Sequence, residues 1–179
     1  MARPAGPVTM RIALSGTPGV GKSTLADLLR QQGETVIDLN AWASAHNAVI
    51  GADADGTKVI DTDAIDIGAF PTDCFIDSHM SHVLGVDAVW LVRLDPHALR
   101  PRLEARGYSA SKVQENLEAE AMDLILQEAL AHCDVVVQRD GTHRSPKELL
   151  ASFGEARTEA LKSSDIEPVD WSDSLLDGF

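Results

Sequence analysis

The chain has 179 residues, enough for one domain that buries its own core without disulfides or a structural metal. Its 15 Lys plus Arg stand against 28 Asp plus Glu, a formal net charge of −13. That charge excludes charge-driven binding to nucleic acid or anionic membranes, and it suits a basic protein or a magnesium-bound nucleotide as partner. Two cysteines, Cys74 and Cys133, with no apolar run of membrane-spanning length and no secretory leader pattern, read as a protein of a reducing cytoplasm. The excess of acids, weighted toward Asp, is also what a salt-rich cytoplasm favours.

Residues 1–9, "MARPAGPVT", read as a disordered leader before a second methionine, Met10, which is an alternative start. "MRIALSG" is a short apolar strand, and "KSTLADLLRQQ" has Leu25, Leu28 and Leu29 at helical spacing, ending at Gly33. "ETVIDLN" predicts a second strand and "NAWASAHNAVIG" a short helix, followed by an acidic stretch without strong periodicity. "DCFIDS", "DAVWLVRL" and "VVVQR" predict three buried strands. Between the last two, "PHALRPRLEARG" and "SASKVQENLEAEAMDLILQEALAH" predict helices, the second one long and capped by Ser109 or Ser111. "SPKELLASFGEARTEALK" predicts a last helix with Ser145 as cap and Pro146 at its first position. Strands and helices alternating at this spacing predict a parallel sheet covered on both faces. The end of the chain, "SSDIEPVDWSDSLLDGF", mixes acids with Trp171, Leu175, Leu176 and Phe179, the composition of a disordered tail that docks apolar anchors on a partner or on its own domain.

The loop between the first strand and the first helix, "GTPGVGKS", is the phosphate-binding pattern of a glycine, four residues and Gly-Lys-Ser. Gly16, Gly19 and Gly21 let the backbone around Val20 wrap a phosphate, with amide N–H groups pointing inward at the positive end of a helix that continues through Thr24. Lys22 supplies a charge to the outer phosphates, and the Ser23 hydroxyl is a magnesium ligand. This combination implies binding of a nucleoside triphosphate, ATP by default, with Mg2+.

"CFIDSHMSH" puts Asp77, His79 and His82 at the end of an apolar strand. A histidine pair three apart beside an acid is compatible with zinc, but no further Cys or His cluster supplies the remaining ligands. A phosphate loop instead needs an acid at the end of a neighbouring strand to hold magnesium, and Asp77 is that candidate. His79 is placed to orient a water or a phosphate, or is a structural histidine; His82 reads as buried or capping.

The segments "LSGTPGVGKSTLADLL", "VIDLN", "FIDSH" and "VRLDPHALRPRLEARGYSASKVQENLEAEAMDLILQEA" together resemble the adenylate kinase isoenzyme 6 family, also described as a coilin-interacting nuclear ATPase and, in yeast and archaea, as a factor in small ribosomal subunit maturation. The resemblance implies a P-loop NTPase of the nucleoside monophosphate kinase-like, three-layer α/β type, with a central five-stranded parallel sheet. It places the kinase-like domain at 10–155, an AMP-binding insertion at about 40–66 and a short lid at about 106–114, with the helix end and acidic tail at 156–179. It implies Lys22 and Arg106 around the transferring phosphoryl group with Arg102 or Arg93 as neighbours, Asp77 on magnesium, His79 in ATPase turnover, and "GTHRSP" against adenine. In one departure, Ser44 stands where the family offers a basic residue to the AMP phosphate, leaving Lys58 or His46 as substitutes. Transfer to AMP, hydrolysis of ATP, and an ATP-gated hold on a basic small-subunit ribosomal protein all remain open at this point.

Overall fold

The computed structural model describes residues 9–52, 56, 58–159, 163–171 and 173–174, with 155–159 as backbone only. The proposed leader, but for Thr9, and the tail anchors Leu175, Leu176 and Phe179 lie outside the described residues. In chain order the elements are β1 (Arg11–Ser15), α1 (Lys22–Gln31), β2 (Val36–Asp38), α2 (Leu39–Ala45), β3 (Val49–Ala52), β4 (Lys58–Ile60), β5 (Cys74–Asp77), β6 (Ala88–Arg93), α3 (Pro96–Ala105), α4 (Ala110–Ala121), α5 (Leu124–His132), β7 (Val136–Asp140), α6 (Pro146–Glu159) and β8 (Asp165–Ile166).

The main sheet runs β2-β5-β1-β6-β7-β8 and every pairing in it is parallel. Parallel strands are covered on both faces, and the side chains alternate accordingly. Ile12, Leu14, Phe75 and Trp90 join Leu25, Leu29, Leu103 and Phe153 in one core. Ala13, Ile76, Val89 and Leu91 join Leu39, Ala43 and Ala129 in the other. The helix caps follow the sequence: Ser109 Oγ accepts from Lys112 N at 3.3 Å, and Ser145 and Glu148 exchange side-chain to backbone bonds of 3.3 and 2.8 Å in front of α6.

The structure departs from the sequence reading in three places. The weakly periodic stretch after α2 contains an antiparallel hairpin, β3 with β4, with Ala52 opposite Lys58. The long helix expected over 109–132 is two helices, because Asp123 adopts the left-handed conformation (φ 57°). Arg93 explains that break: its guanidinium donates to the Glu120 carbonyl at 2.7 Å and to Asp123 Oδ1 at 2.6 Å, so the carbonyl that would continue the helix faces a long-range partner. Finally, the five expected strands gain a sixth. The acidic segment after residue 163 pairs β8 beside β7, where Gln138 Nε2 donates to the Glu167 carbonyl at 2.7 Å and Arg139 pairs with Asp165. Trp171 then lies over the Arg93 guanidinium, 4.6 Å from ring centroid to Cζ. The tail's tryptophan is docked on its own domain.

Candidate active site

The carboxyl ends of three neighbouring strands create the site. Register pairs Leu14 with Asp77 and Asp77 with Asp38, so the loop leaving β1 begins beside two strand-end carboxylates. Ligands of open α/β sheets bind at this edge, where strand order changes direction. Gly16 has φ 139°, and a Cβ there would lie 2.4 Å from the Val92 carbonyl oxygen; only glycine lets the loop turn against β6. Gly19 has φ 94° and faces Leu99 Cδ1, which a Cβ would approach to 2.9 Å. α1 then starts after Gly21 without a side-chain cap, leaving the positive end of the helix open to an anion.

Lys22 is buried, and its Nζ donates to the carbonyls of Gly16 at 2.6 Å and Thr17 at 3.0 Å. Burial lowers its pKa to about 8; Asp77 opposes that shift, Arg106 adds to it, and Glu120 opposes it. A cavity of about 360 Å³ beside the loop gathers Lys22, Ser23, Asp77, His79 and Arg106. Five stretches of chain, at 18–23, 38–40, 58, 77–79 and 106–108, therefore converge on one space. Burial raises the Asp77 pKa, with Lys22 opposing. Burial and the Lys22 charge push His79 down to about 4, so its imidazole is neutral at pH 7 and serves as a donor or acceptor rather than a cation.

The side chains of Asp77 and Ser23 make no hydrogen bond among the described residues, so their oxygens are free to face the cavity. This donor set fits magnesium, which takes one or two protein oxygens and completes its shell with water and substrate phosphates. When bound, the ion neutralises charge on the outer phosphates.

On the other side of the loop, Val20, Thr24, Arg102, Gly141 and Arg144 line a smaller cavity of about 90 Å³. Arg102 Nη1 reaches the Gly19 carbonyl at 3.4 Å, so the two arginines divide. Arg106 faces the cavity of Lys22, whereas Arg102 faces the smaller cavity, next to the "GTHRSP" segment. A third cavity of about 370 Å³ adjoins the first through Pro18, Lys58, His79 and Tyr108, and has Ile60, Met80 and Ile125 among its apolar walls.

Lys58 stands where these two larger cavities meet, and its Nζ donates to Ser44 Oγ at 2.7 Å. The hairpin thus brings an ammonium group to Ser44. His46 is elsewhere, stacked on Trp42 with centroids 4.1 Å apart.

Residues 12–123 match a family model described as an AAA domain. A protein of Archaeoglobus fulgidus named "Putative adenylate kinase" is 37% identical over 171 residues, covering 94% of this chain and 95% of its own. Proteins of the same name from Pyrococcus abyssi and Halobacterium salinarum are 34% identical over 169 residues and 38% identical over 176, each covering 92% of this chain and 92% and 99% of their own. The chain belongs to this P-loop family. The crystal structure of TT1252 from Thermus thermophilus shares the fold, with a TM-score of 0.51 at 19% identity over 84% of this chain and 97% of that one. Membership in the P-loop family supports a nucleotide-binding activity of kinase or ATPase type.

One expectation changes, for Arg93, and one is met, for His82. Arg93 is not a neighbour of the transferring group: it is 2% exposed and spends its donors on Glu120, Asp123 and Gln138. His82 is structural. Its Nδ1 is 2.9 Å from Ser15 Oγ and its Nε2 is 3.1 Å from Glu128, so neither nitrogen is open to a metal shared with Asp77. Among the described residues no cluster of three or more His, Cys, Asp or Glu is disposed to hold a metal. Sequence reasoning missed Asp38 and Tyr108 as cavity residues. Asp38 ends its strand as Asp77 does, but it lies in the stretch "ETVIDLN", which reads as a strand alone; it caps α2 by accepting from Ala41 N at 2.9 Å.

Proposed function

We propose that the protein is an adenylate kinase of the isoenzyme 6 type, transferring the terminal phosphoryl group of ATP to AMP, with water as the competing acceptor. The observation that carries this reading is Lys58: it supplies a cation at Ser44, in the same cavity as Lys22, Asp77, His79 and Arg106.

In this reading ATP enters with its outer phosphates in the loop of residues 16–23. Lys22 exchanges the carbonyls of Gly16 and Thr17 for phosphate oxygens, and Arg106 closes on the opposite side. Ser23 and Asp77 hold the magnesium ion. An AMP phosphate oxygen, held by Lys58, forms a bond to the terminal phosphorus as the bond to the β,γ-bridging oxygen breaks, giving two ADP. The transferring group carries negative charge on its equatorial oxygens, and fixed cations lower the energy of that arrangement without reorganising. Neutral His79, shared by the two cavities, orients the attacking oxygen, or a water when AMP is absent. The third cavity, apolar with polar ends, is where the acceptor nucleoside would lie.

A second reading has its own support. A net charge of −13 suits a basic partner, and ATP turnover would then gate the hold on a small-subunit ribosomal protein. Product analysis separates the readings. With ATP, Mg2+ and AMP, a kinase forms two ADP per AMP consumed and little free phosphate; release of phosphate at a rate indifferent to AMP makes water the acceptor and overturns the AMP assignment.

A further inference from the structure

Away from the cavity surface, a buried ionic cluster ties the phosphate loop to the helices behind it. Glu120, 2% exposed in the last turn of α4, uses both carboxylate oxygens. Its Oε2 accepts a short hydrogen bond from the Thr17 hydroxyl, while its Oε1 accepts from Arg93 Nε at 2.9 Å and from Leu94 N at 3.0 Å. Arg93 is fixed in turn by the Glu120 carbonyl, Asp123 and Gln138, with Trp171 over its guanidinium.

Arg93 Nε and Leu94 N already fill one oxygen of Glu120, and the second oxygen is directed at the loop. Thr17 is the residue it reaches, and the Thr17 carbonyl is one of the two oxygens on which the Lys22 ammonium rests. The chain from α4 to the lysine is thus Glu120 carboxylate, Thr17 hydroxyl, Thr17 backbone, Lys22 Nζ. We propose that Glu120 is a positioning residue of the phosphate loop, fixing Thr17, and with it the seat of Lys22, to the helix that follows the lid segment. It touches no substrate and acts through Thr17. The kinetic part of this inference rests on the proposed phosphoryl transfer.

The perturbation that isolates the contact is Thr17→Val, which keeps the β-branched shape and removes the donor. A residue holding reactants in line loses up to about 10²-fold in rate for a displacement on the order of 1 Å. A loop freed at one of its anchors should lose about tenfold in kcat while its Kd for MgATP stays within about threefold. Thr17→Ser restores the hydroxyl and should recover most of the lost kcat. Glu120→Gln, which keeps an acceptor but weakens the charge-assisted bond, should fall in the same direction as Thr17→Val. Asp123→Asn is the control: it removes one partner of Arg93 without touching the loop, at a left-handed position that Asn tolerates, and should lower the melting temperature while leaving kcat unchanged. A second measurement makes the inference independent of any turnover. Amide exchange of residues 16–22 in the nucleotide-free protein should quicken at least about tenfold in Thr17→Val and stay as in the wild type in Asp123→Asn. A wild-type protein without ATP turnover refutes the proposed function, and the exchange data still decide the role of Glu120. Wild-type kcat and wild-type exchange in Thr17→Val, or an equal loss in Asp123→Asn, would overturn it.

Discussion

Lys58 is the residue on which the assignment of the acceptor turns, and Lys58→Met tests it while keeping most of the stem. In the folded protein the ammonium group is exposed and bonded to Ser44 Oγ at 2.7 Å, with no ion-pair partner among the described residues. An exposed hydroxyl contact of this kind contributes little to folding, so the melting temperature should move by no more than the equivalent of about 0.5 kcal/mol. The contact with a phosphate dianion is different in scale. A hydrogen bond to a charged group contributes about 1.5–3 kcal/mol net, and each 1.4 kcal/mol is tenfold in affinity. The KM for AMP should therefore rise between about tenfold and about 150-fold. The Kd for MgATP and the rate of ATP hydrolysis without AMP should not change, because Lys58 is on the acceptor side of Lys22. Steady-state kinetics with AMP varied at saturating ATP, beside ATP titration by calorimetry, give all three values. A KM for AMP that rises by less than about threefold, or a loss of MgATP affinity equal to the loss for AMP, would refute the reasoning.

The other predictions concern the donor side and the tail. Lys22→Ala should abolish transfer and hydrolysis alike, since either needs the outer phosphates clamped, and normal ATP turnover in this variant would contradict the phosphate-loop assignment. Asp77→Asn should reduce turnover by at least about tenfold while metal-free ATP binds within about threefold of wild type; equal losses would make Asp77 a structural acid. In the tail, the Arg144 hydrogen bonds hold the Glu167 carboxyl below its ordinary value of 4.5. A carboxylate with a depressed folded-state pKa contributes docking that is complete above 4.5 and is lost as pH falls through the depressed value. The Trp171 indole resonance should accordingly move toward its unfolded position on acidification below about 4.5. Glu167→Gln should shift it already at pH 7, and an indole signal identical in both proteins across the titration would separate Trp171 from this ion pair.

Much of the proposed donor half of the site was legible because its determinants are local. The glycines at 16, 19 and 21, Lys22 and Ser23 form one continuous loop, and Asp77 and His79 follow directly on an apolar strand whose register against β1 a parallel sheet imposes. The proposed acceptor half was legible only as an absence at Ser44. Lys58 was visible as the sole cation of its stretch, but the hairpin that delivers it has short strands with weak alternation, and nothing local says that β4 lies against α2. Arg93 failed for a related reason. A strand-end arginine near a phosphate site and one turned into a buried cluster look the same along the chain; what decides is Glu120 and Asp123, some thirty residues away. The same long-range bonds break a helix whose amphipathic pattern continues past the break. β8 escaped because two residues carry no periodicity, and because the pairing partners of an acidic segment, Arg139 and Arg144, lie across the sheet edge.

The placement of these failures has a physical meaning. In the proposed function the local signals build the part of the site that any P-loop protein needs, a phosphate cradle and an acid for magnesium, and that part is the same whether the acceptor is AMP or water. The long-range contacts, Lys58 on Ser44 and Glu120 on Thr17, bear on what distinguishes one use of the cradle from another: where an acceptor phosphate is held, and how firmly the loop is fixed while the bond is exchanged. A variant that leaves ATP binding intact and loses AMP, as Lys58→Met should, therefore tests the specific function, whereas Lys22→Ala tests only the general one. If Lys58→Met left AMP kinetics unchanged while Thr17→Val still slowed ATP turnover, the loop mechanism would stand with water as the acceptor, and the −13 charge would become the better guide to a partner.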